Sequence, residues 1–258
     1  MMKSKLLNSL ILAALAVPGV AMAGDSPFSG NVSLTTDYLY RGMTQTGGEP
    51  AIQGGFDYAN PNGLYIGAWG SNVSWVPASS ASLELDTYLG FRNSFAEDFS
   101  YDVGFLRYNY PGYYASGVTK ADTNEIYGLI GWKWVTLKYS YALGDIFGVA
   151  ADSGSSYVDL SASYTLEGSG VVLGAHYGKQ TVKATDSSNL VTSGYAKDAA
   201  DYSDYNLSVA KDFSGYVWKL LYSDTNAEDG KWYSMTQADG TTTNLGKSTV
   251  VLSVSHSM

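Results

Sequence analysis

The sequence predicts an all-β protein, a transmembrane antiparallel β-barrel of about twelve strands with short turns at one end and longer loops at the other. Three observations lead there. Segment after segment alternates apolar and polar residues, the period of a strand with two unlike faces. The links between these segments alternate in length, long then tight. No run beyond the N-terminal region is apolar enough for a membrane helix, so any crossing must use strands closed on themselves.

The first 23 residues read as a cleaved signal peptide. Lys3 and Lys5 supply the positive start, Leu6 to Val17 an apolar stretch too short to span a bilayer, and Ala21-Met22-Ala23 a small-x-small cleavage site. Residues 24–258 then form a single barrel, with Gly24 as the expected mature start. The chain contains no Cys, so disulfides contribute nothing to its stability. Removing Lys3 and Lys5 from the 15 basic residues leaves 13 against 24 acidic ones, a net charge of −11. That balance excludes nucleic acid as a partner, since phosphates call for a basic surface.

The first strand runs from Asn31 to Arg41, with Val32, Leu34, Thr36, Tyr38 and Tyr40 opposite Asn31, Ser33, Thr35, Asp37 and Arg41. A Gly- and Thr-rich link leads to Ile52, Phe56 and Tyr58 opposite Gln53 and Asp57. Asn60-Pro61-Asn62-Gly63 is a turn signal before a third strand, Leu64 to Trp75. These segments carry a family resemblance. Asn31-Val32-Ser33-Leu34-Thr35-Thr36-Asp37-Tyr38, Tyr40-Arg41-Gly42-Met43-Thr44-Gln45-Thr46, Ala51-Ile52-Gln53-Gly54-Gly55-Phe56-Asp57-Tyr58 and Gly67-Ala68-Trp69-Gly70-Ser71-Asn72-Val73 resemble the N-terminal signature of the TorF-type porin family, also catalogued as the Gcw_chp conserved proteins of Gram-negative bacteria. The resemblance covers the first quarter of the mature chain and implies an outer-membrane barrel without naming a substrate.

The alternation continues. Leu83 to Arg92 sets Leu85 and Leu89 against Glu84 and Asp86. After a turn at Asn93 to Asp98, Phe99 to Phe105 sets Val103 against Asp102. A long link, Pro111 to Asp122, precedes Thr123 to Gly131, then a tight turn at Trp132 to Trp134, then Leu137 and Tyr139 opposite Lys138. Beyond the link Gly144 to Gly154, Val158 and Leu160 oppose Asp159. Past Glu167-Gly168-Ser169-Gly170, Leu173 and Tyr177 oppose His176. After Lys179 to Asp201, Tyr205 and Leu207 oppose Asp204. Past Lys211 to Gly215, Trp218 and Leu220 oppose Lys219. The longest link, Asp224 to Gly246, precedes a last strand through Val250, Leu252 and Val254. Tyr38, Tyr40, Trp75, Tyr101, Tyr139, Tyr141, Tyr164, Tyr177, Trp218 and Tyr222 fall near strand ends, where interfacial aromatic girdles lie. The chain ends in Met258, a departure from the aromatic end common in such barrels.

Alternation alone fits an exported soluble barrel that binds a small ligand equally well, merely turned inside out. The loop asymmetry, the aromatic ends and a polar phase rich in Gly, Ser and charge favour the outer membrane of a Gram-negative cell. Lipid, lipopolysaccharide and the barrel-assembly machinery are then the expected partners. The expected function is a porin-like passive channel for small polar solutes. The alternative within the membrane is a closed structural or adhesive barrel that displays its loops. Eight-stranded barrels are filled by side chains and sixteen-stranded ones are open, so about twelve strands imply a narrow passage.

The pore-lining candidates are the polar-phase residues Asp37, Arg41, Gln45, Asp57, Glu84, Asp86, Arg92, Asp102, Glu125, Lys138, Asp159, His176, Asp204 and Lys219. Eight of these are acidic and four are Lys or Arg, which predicts a weak cation preference unless cross-strand pairing cancels it. Tyr40 to Thr46 allows two readings. The loop can fold over the mouth and bring Arg41 and Gln45 to solute, or a strand can end there in a sharp turn at Gly42, Gly47 and Gly48; the second is the simpler. No enzyme is expected. His176 lies on the lumen phase and His256 near the turn-side terminus, so neither suits a lipid-facing Ser-His pair. Two distant His give no metal site, and no cofactor is expected. The Asn-x-Ser matches at Asn31, Asn72 and Asn206 fall inside bacterial strands and carry no function.

Overall fold

The computed structural model describes residues 26–76, 78–151, 153–227, 232–236, 240 and 242–258. The expected signal peptide and its cleavage point lie outside them. In chain order the elements are β1 Phe28–Thr35, β2 Leu39–Tyr40, β3 Met43–Thr44, β4 Ala51–Ala59, β5 Leu64–Asn72, β6 Leu83–Phe95, β7 Phe99–Asn109, β8 Thr123–Trp132 and β9 Val135–Ala142. There follow β10 Ser156–Thr165, β11 Val172–Thr181, α1 Asn189–Thr192, β12 Tyr202–Phe213, β13 Tyr216–Thr225, β14 Ser234–Thr236, β15 Thr242–Asn244 and β16 Thr249–Ser257.

Twelve of these strands close into one antiparallel barrel in the order β1-β16-β13-β12-β11-β10-β9-β8-β7-β6-β5-β4, with β4 returning to β1. Closure leaves no open edge, the condition for a sheet surrounded by lipid. The wall obeys the period-two reading. On β6, Leu85 and Leu89 are exposed outside while Glu84, Asp86 and Tyr88 are buried inside. Phe56, Ile66, Val103, Leu137, Leu160, Leu207 and Leu220 continue an exposed apolar belt around the outer wall. A belt of this extent is far larger than the scattered apolar residues of a soluble surface, and hydrocarbon is the environment that suits it.

Five tight turns close one end, where β1 starts and β16 finishes. Between Phe213 and Tyr216 the turn is two residues, Ser214 and Gly215, with φ of 57° and 88°, the twist that two-residue hairpins favour. Six longer links gather at the other end. There the 143–155 and 182–201 segments share a small apolar core of Ile146, Val149, Val182, Leu190 and Ala200.

Three expectations are corrected. The first strand does not run to Arg41. β1 leaves the wall at Thr35, and β2 and β3 form a hairpin that turns into the lumen. Tyr38 and Tyr40 are therefore buried rather than in a girdle, because hydroxyl partners inside the barrel suit them better than lipid. The third strand ends at Asn72, and Trp75 packs edge-on against Tyr110 in the loops, 5.4 Å between centroids. β6 extends to Phe95, shortening the next turn, because Phe95 stacks on Phe99 across it. Among the other proposed girdle residues, Tyr139, Tyr164, Tyr177, Trp218 and Tyr222 are exposed on the outside.

Candidate functional site

The inward hairpin decides the shape of the lumen at the loop end. Asp37 starts it by accepting the Thr44 hydroxyl at 2.5 Å, and the Tyr38 amide donates to Thr46 Oγ1 at 3.2 Å. Arg41 and Gly42, with φ of 48° and 77°, make its tip. At Gly42 a Cβ would lie 2.6 Å from Asp204 Cβ and from Thr225 Cγ2, so only a glycine lets the tip reach β12 and β13. Backbone bonds fix the hairpin from outside: Thr44 N–H donates to Leu245 O and Ser74 N–H to Gln45 O, both at 2.8 Å.

From this tip Arg41 crosses to the far wall. Its Nη1 donates to Gln180 Oε1 at 2.8 Å, and its Nη2 lies 3.0 and 2.8 Å from the two oxygens of Glu125. The guanidinium carbon sits 4.3 Å from the Tyr157 ring centroid, 4.8 Å from Tyr40 and 5.8 Å from Phe147. Arg41 is 4% exposed and Glu125 1%. The pair is thus desolvated, the condition in which its charges act most strongly and in which losing one partner costs most. Tyr40 and Tyr108 join hydroxyls at 2.7 Å beside it. Gln45 is buried too, its amide donating to Met43 O within the hairpin.

Asp57, Asp102 and Glu84 are held by hydroxyls rather than by cations. Tyr88 donates to Asp57 at 2.7 Å, Tyr65 to Asp102 at 2.6 Å and Tyr38 to Glu84 at 3.3 Å. Among the described residues Asp37, Asp57, Glu84, Asp86 and Asp102 form no ion pair, and one oxygen each of Glu84 and Asp86 has no hydrogen-bond partner. The nearby cations stack instead. Arg92 lies opposite Asp102 in the sheet but sits 5.0 Å from the Tyr65 ring centroid. Lys138 lies opposite Asp159 but sits 4.3 Å from that of Tyr127. Lys219 is half-buried on β13. Cross-strand cancellation of charge is therefore slight.

His176 bridges β10 and β12. Its Nε2 is 2.9 Å from Asp204 Oδ1, its Nδ1 3.1 Å from Ser161 Oγ and 3.5 Å from Asp159 Oδ1. Tyr157 donates to Asp204 Oδ2 at 2.8 Å. Ser, His and Asp thus meet, but Ser161 donates its proton to Asp159 at 2.6 Å, away from the imidazole that would have to take it. His256 is far from this group, 2.8 Å from Gly215 O and stacked on Tyr216.

Sequence reasoning placed the charged residues but missed Gln180, Tyr65, Tyr108, Tyr127 and Phe147. One signal was available. Lumen tyrosines lie over glycines of the next strand, Tyr65 opposite Gly90, Tyr88 opposite Gly67 and Tyr127 opposite Gly104, and a Cβ at any of these glycines would strike the ring.

The Gcw_chp family, described as bacterial proteins of unknown function, matches residues 21–258. This chain belongs to that family. No curated protein matches it. Among solved structures, the Gcw_chp barrel is similar to the KdgM porin, solved in complex with disordered oligogalacturonate, at 8% identity and a TM-score of 0.50, covering 90% of this chain and 98% of that one. The NanC porin is similar at 8% identity and a TM-score of 0.49, covering 88% and 97%. The outer membrane protein OprD from Pseudomonas aeruginosa stands at 12% identity and a TM-score of 0.41, covering 90% and 65%. At such identities the likeness to KdgM is one of fold.

Proposed function

We propose that this Gcw_chp protein is a TorF-type outer-membrane porin, a narrow passive channel for small polar solutes with a preference for cations. The observation that carries the reading is a closed barrel with an apolar outer belt and a charged lumen crossed by an anchored hairpin. Hydrophobic exteriors and polar interiors are what a membrane passage requires. The signal peptide of residues 1–23 routes the chain to the assembly machinery, the tight turns face the periplasm and the long loops face outward. Lipid meets the apolar belt. Outward-facing Arg107 and Lys179, near the loop end, are placed to meet lipopolysaccharide phosphates.

Cation preference rests on the excess of acidic over basic residues on the lumen phase, with Asp57 and Asp102 held by tyrosine hydroxyls rather than by an ion pair. Fixed charges in a low-dielectric passage concentrate counter-ions. Galacturonate is itself an anion, so a KdgM-like solute does not suit this lumen. The chain is not an enzyme on this reading, since Ser161 is turned toward Asp159.

A closed barrel displaying its loops is the second reading, favoured by the filling of the loop half with Tyr108, Leu106 and the hairpin. Reconstitution in a planar bilayer separates the two. A channel gives discrete conductance steps and a reversal potential of cation sign across a salt gradient. The absence of steps supports the closed barrel, and an anion sign rejects the charge argument.

A further inference from the structure

The contacts of Arg41 describe a receptor as well as a staple. Its partners Glu125, Tyr157 and Gln180 come from three wall strands, β8, β10 and β11. A planar cation is held by a carboxylate, an amide oxygen and aromatic faces, the set that distinguishes guanidinium from the compact ammonium. The cation arrives on a hairpin that is not part of the wall. With the tip withdrawn, the wall would keep a buried carboxylate that needs a cation.

We propose that the wall carries a guanidinium-binding site formed by Glu125, Gln180 and Tyr157, that Arg41 fills it as a tethered ligand, and that solutes bearing a guanidinium or amidinium group displace the hairpin. This rests on the channel reading and names the solute class for the same site. A tethered ligand acts at an effective concentration on the order of millimolar. Free solutes therefore compete in the millimolar range. Alkali cations lack both the fork and the flat face, and pass without engaging the site.

The test uses the folded barrel with Arg41→Ala, in detergent, titrated calorimetrically with guanidinium chloride at non-denaturing concentrations. Urea has the shape without the charge, and ammonium chloride the charge without the fork. Guanidinium should bind at least about tenfold more tightly than ammonium. Urea should not be detected, and Arg41→Ala with Glu125→Gln should lose the binding. Equal affinity for both cations, no binding to Arg41→Ala, or binding that survives Glu125→Gln overturns the proposal. If Arg41→Ala does not fold alone, refolding with guanidinium should restore the heat-resistant barrel where ammonium does not; equal yields overturn it. In wild type, methylguanidinium should lengthen single-channel openings relative to equal potassium, and unchanged openings overturn displacement. Because the titration needs no current, binding without conductance in every variant would reject the channel and leave the site standing.

Discussion

The two halves of the lumen are built from different side chains. Toward the loops, Glu84, Glu125 and Asp204 are each 1% exposed and Tyr108 2%, packed against the hairpin. Toward the turns the inward positions of β10, β12 and β16 include Ser161, Ser163, Asn206, Ser208 and Ser255, all half-buried, while Asp57, at 3%, and Tyr65, at 4%, are buried beside the tight turn that joins β4 to β5. The wall is continuous through both halves, with the same strands and the same register. Strand number alone therefore does not set the width of the passage. Side-chain volume and one inward hairpin do, and the hairpin acts at the loop half alone. On the channel reading, the hairpin puts the largest share of the resistance at the loop half.

The largest effect should follow from removing the hairpin. Arg41→Ala leaves Glu125 buried without its cation, which destabilises the folded barrel by about 3–5 kcal/mol and frees the tip. Thermal unfolding should fall accordingly, and single-channel conductance should rise several-fold. Gly42→Ala tests the same contact sterically. A left-handed φ costs an alanine about 1–2 kcal/mol, and the Cβ would meet Asp204 and Thr225. The tip should then sit less deeply, with conductance between wild type and Arg41→Ala.

Smaller effects sharpen the contrast. Asp102→Asn removes a half-buried lumen carboxylate that has no ion pair and should shift the reversal potential toward zero without altering assembly, most visibly at low salt, where the screening length exceeds about 10 Å. An identical shift from Asp212→Asn, exposed at the turns, would deny that the lumen lining sets selectivity. The smallest change is expected from Ser163→Ala near the turns, with conductance and melting temperature near those of wild type. A large fall in conductance there would place the resistance at the wrong end.

The wall was legible because its code is local. Period-two alternation, Asn60-Pro61-Asn62-Gly63 and the tight turn at Ser214 and Gly215 each state their structure within a few residues. The hairpin was not legible because its partners are remote: Glu125 lies 84 residues from Arg41 and Gln180 lies 139. Asp37 to Arg41 also continued the alternation of β1, so the first strand read through the point where the chain leaves the wall. The charged lumen residues were readable by phase, but phase does not reveal pairing. Arg92 and Lys138 lie opposite carboxylates on one flanking strand yet turn onto tyrosine rings of the other.

The central claim, that the Tyr38–Gln45 hairpin narrows an otherwise wider passage, has a direct measurement. Residues 38–45 are replaced by a short Gly-Ser link, folding is confirmed by heat-modifiable migration, and single-channel conductance is compared with wild type in the same bilayer and salt. The account predicts a several-fold larger conductance with cation selectivity retained from Asp57 and Asp102. A folded, hairpin-free barrel that conducts no better than wild type would contradict it.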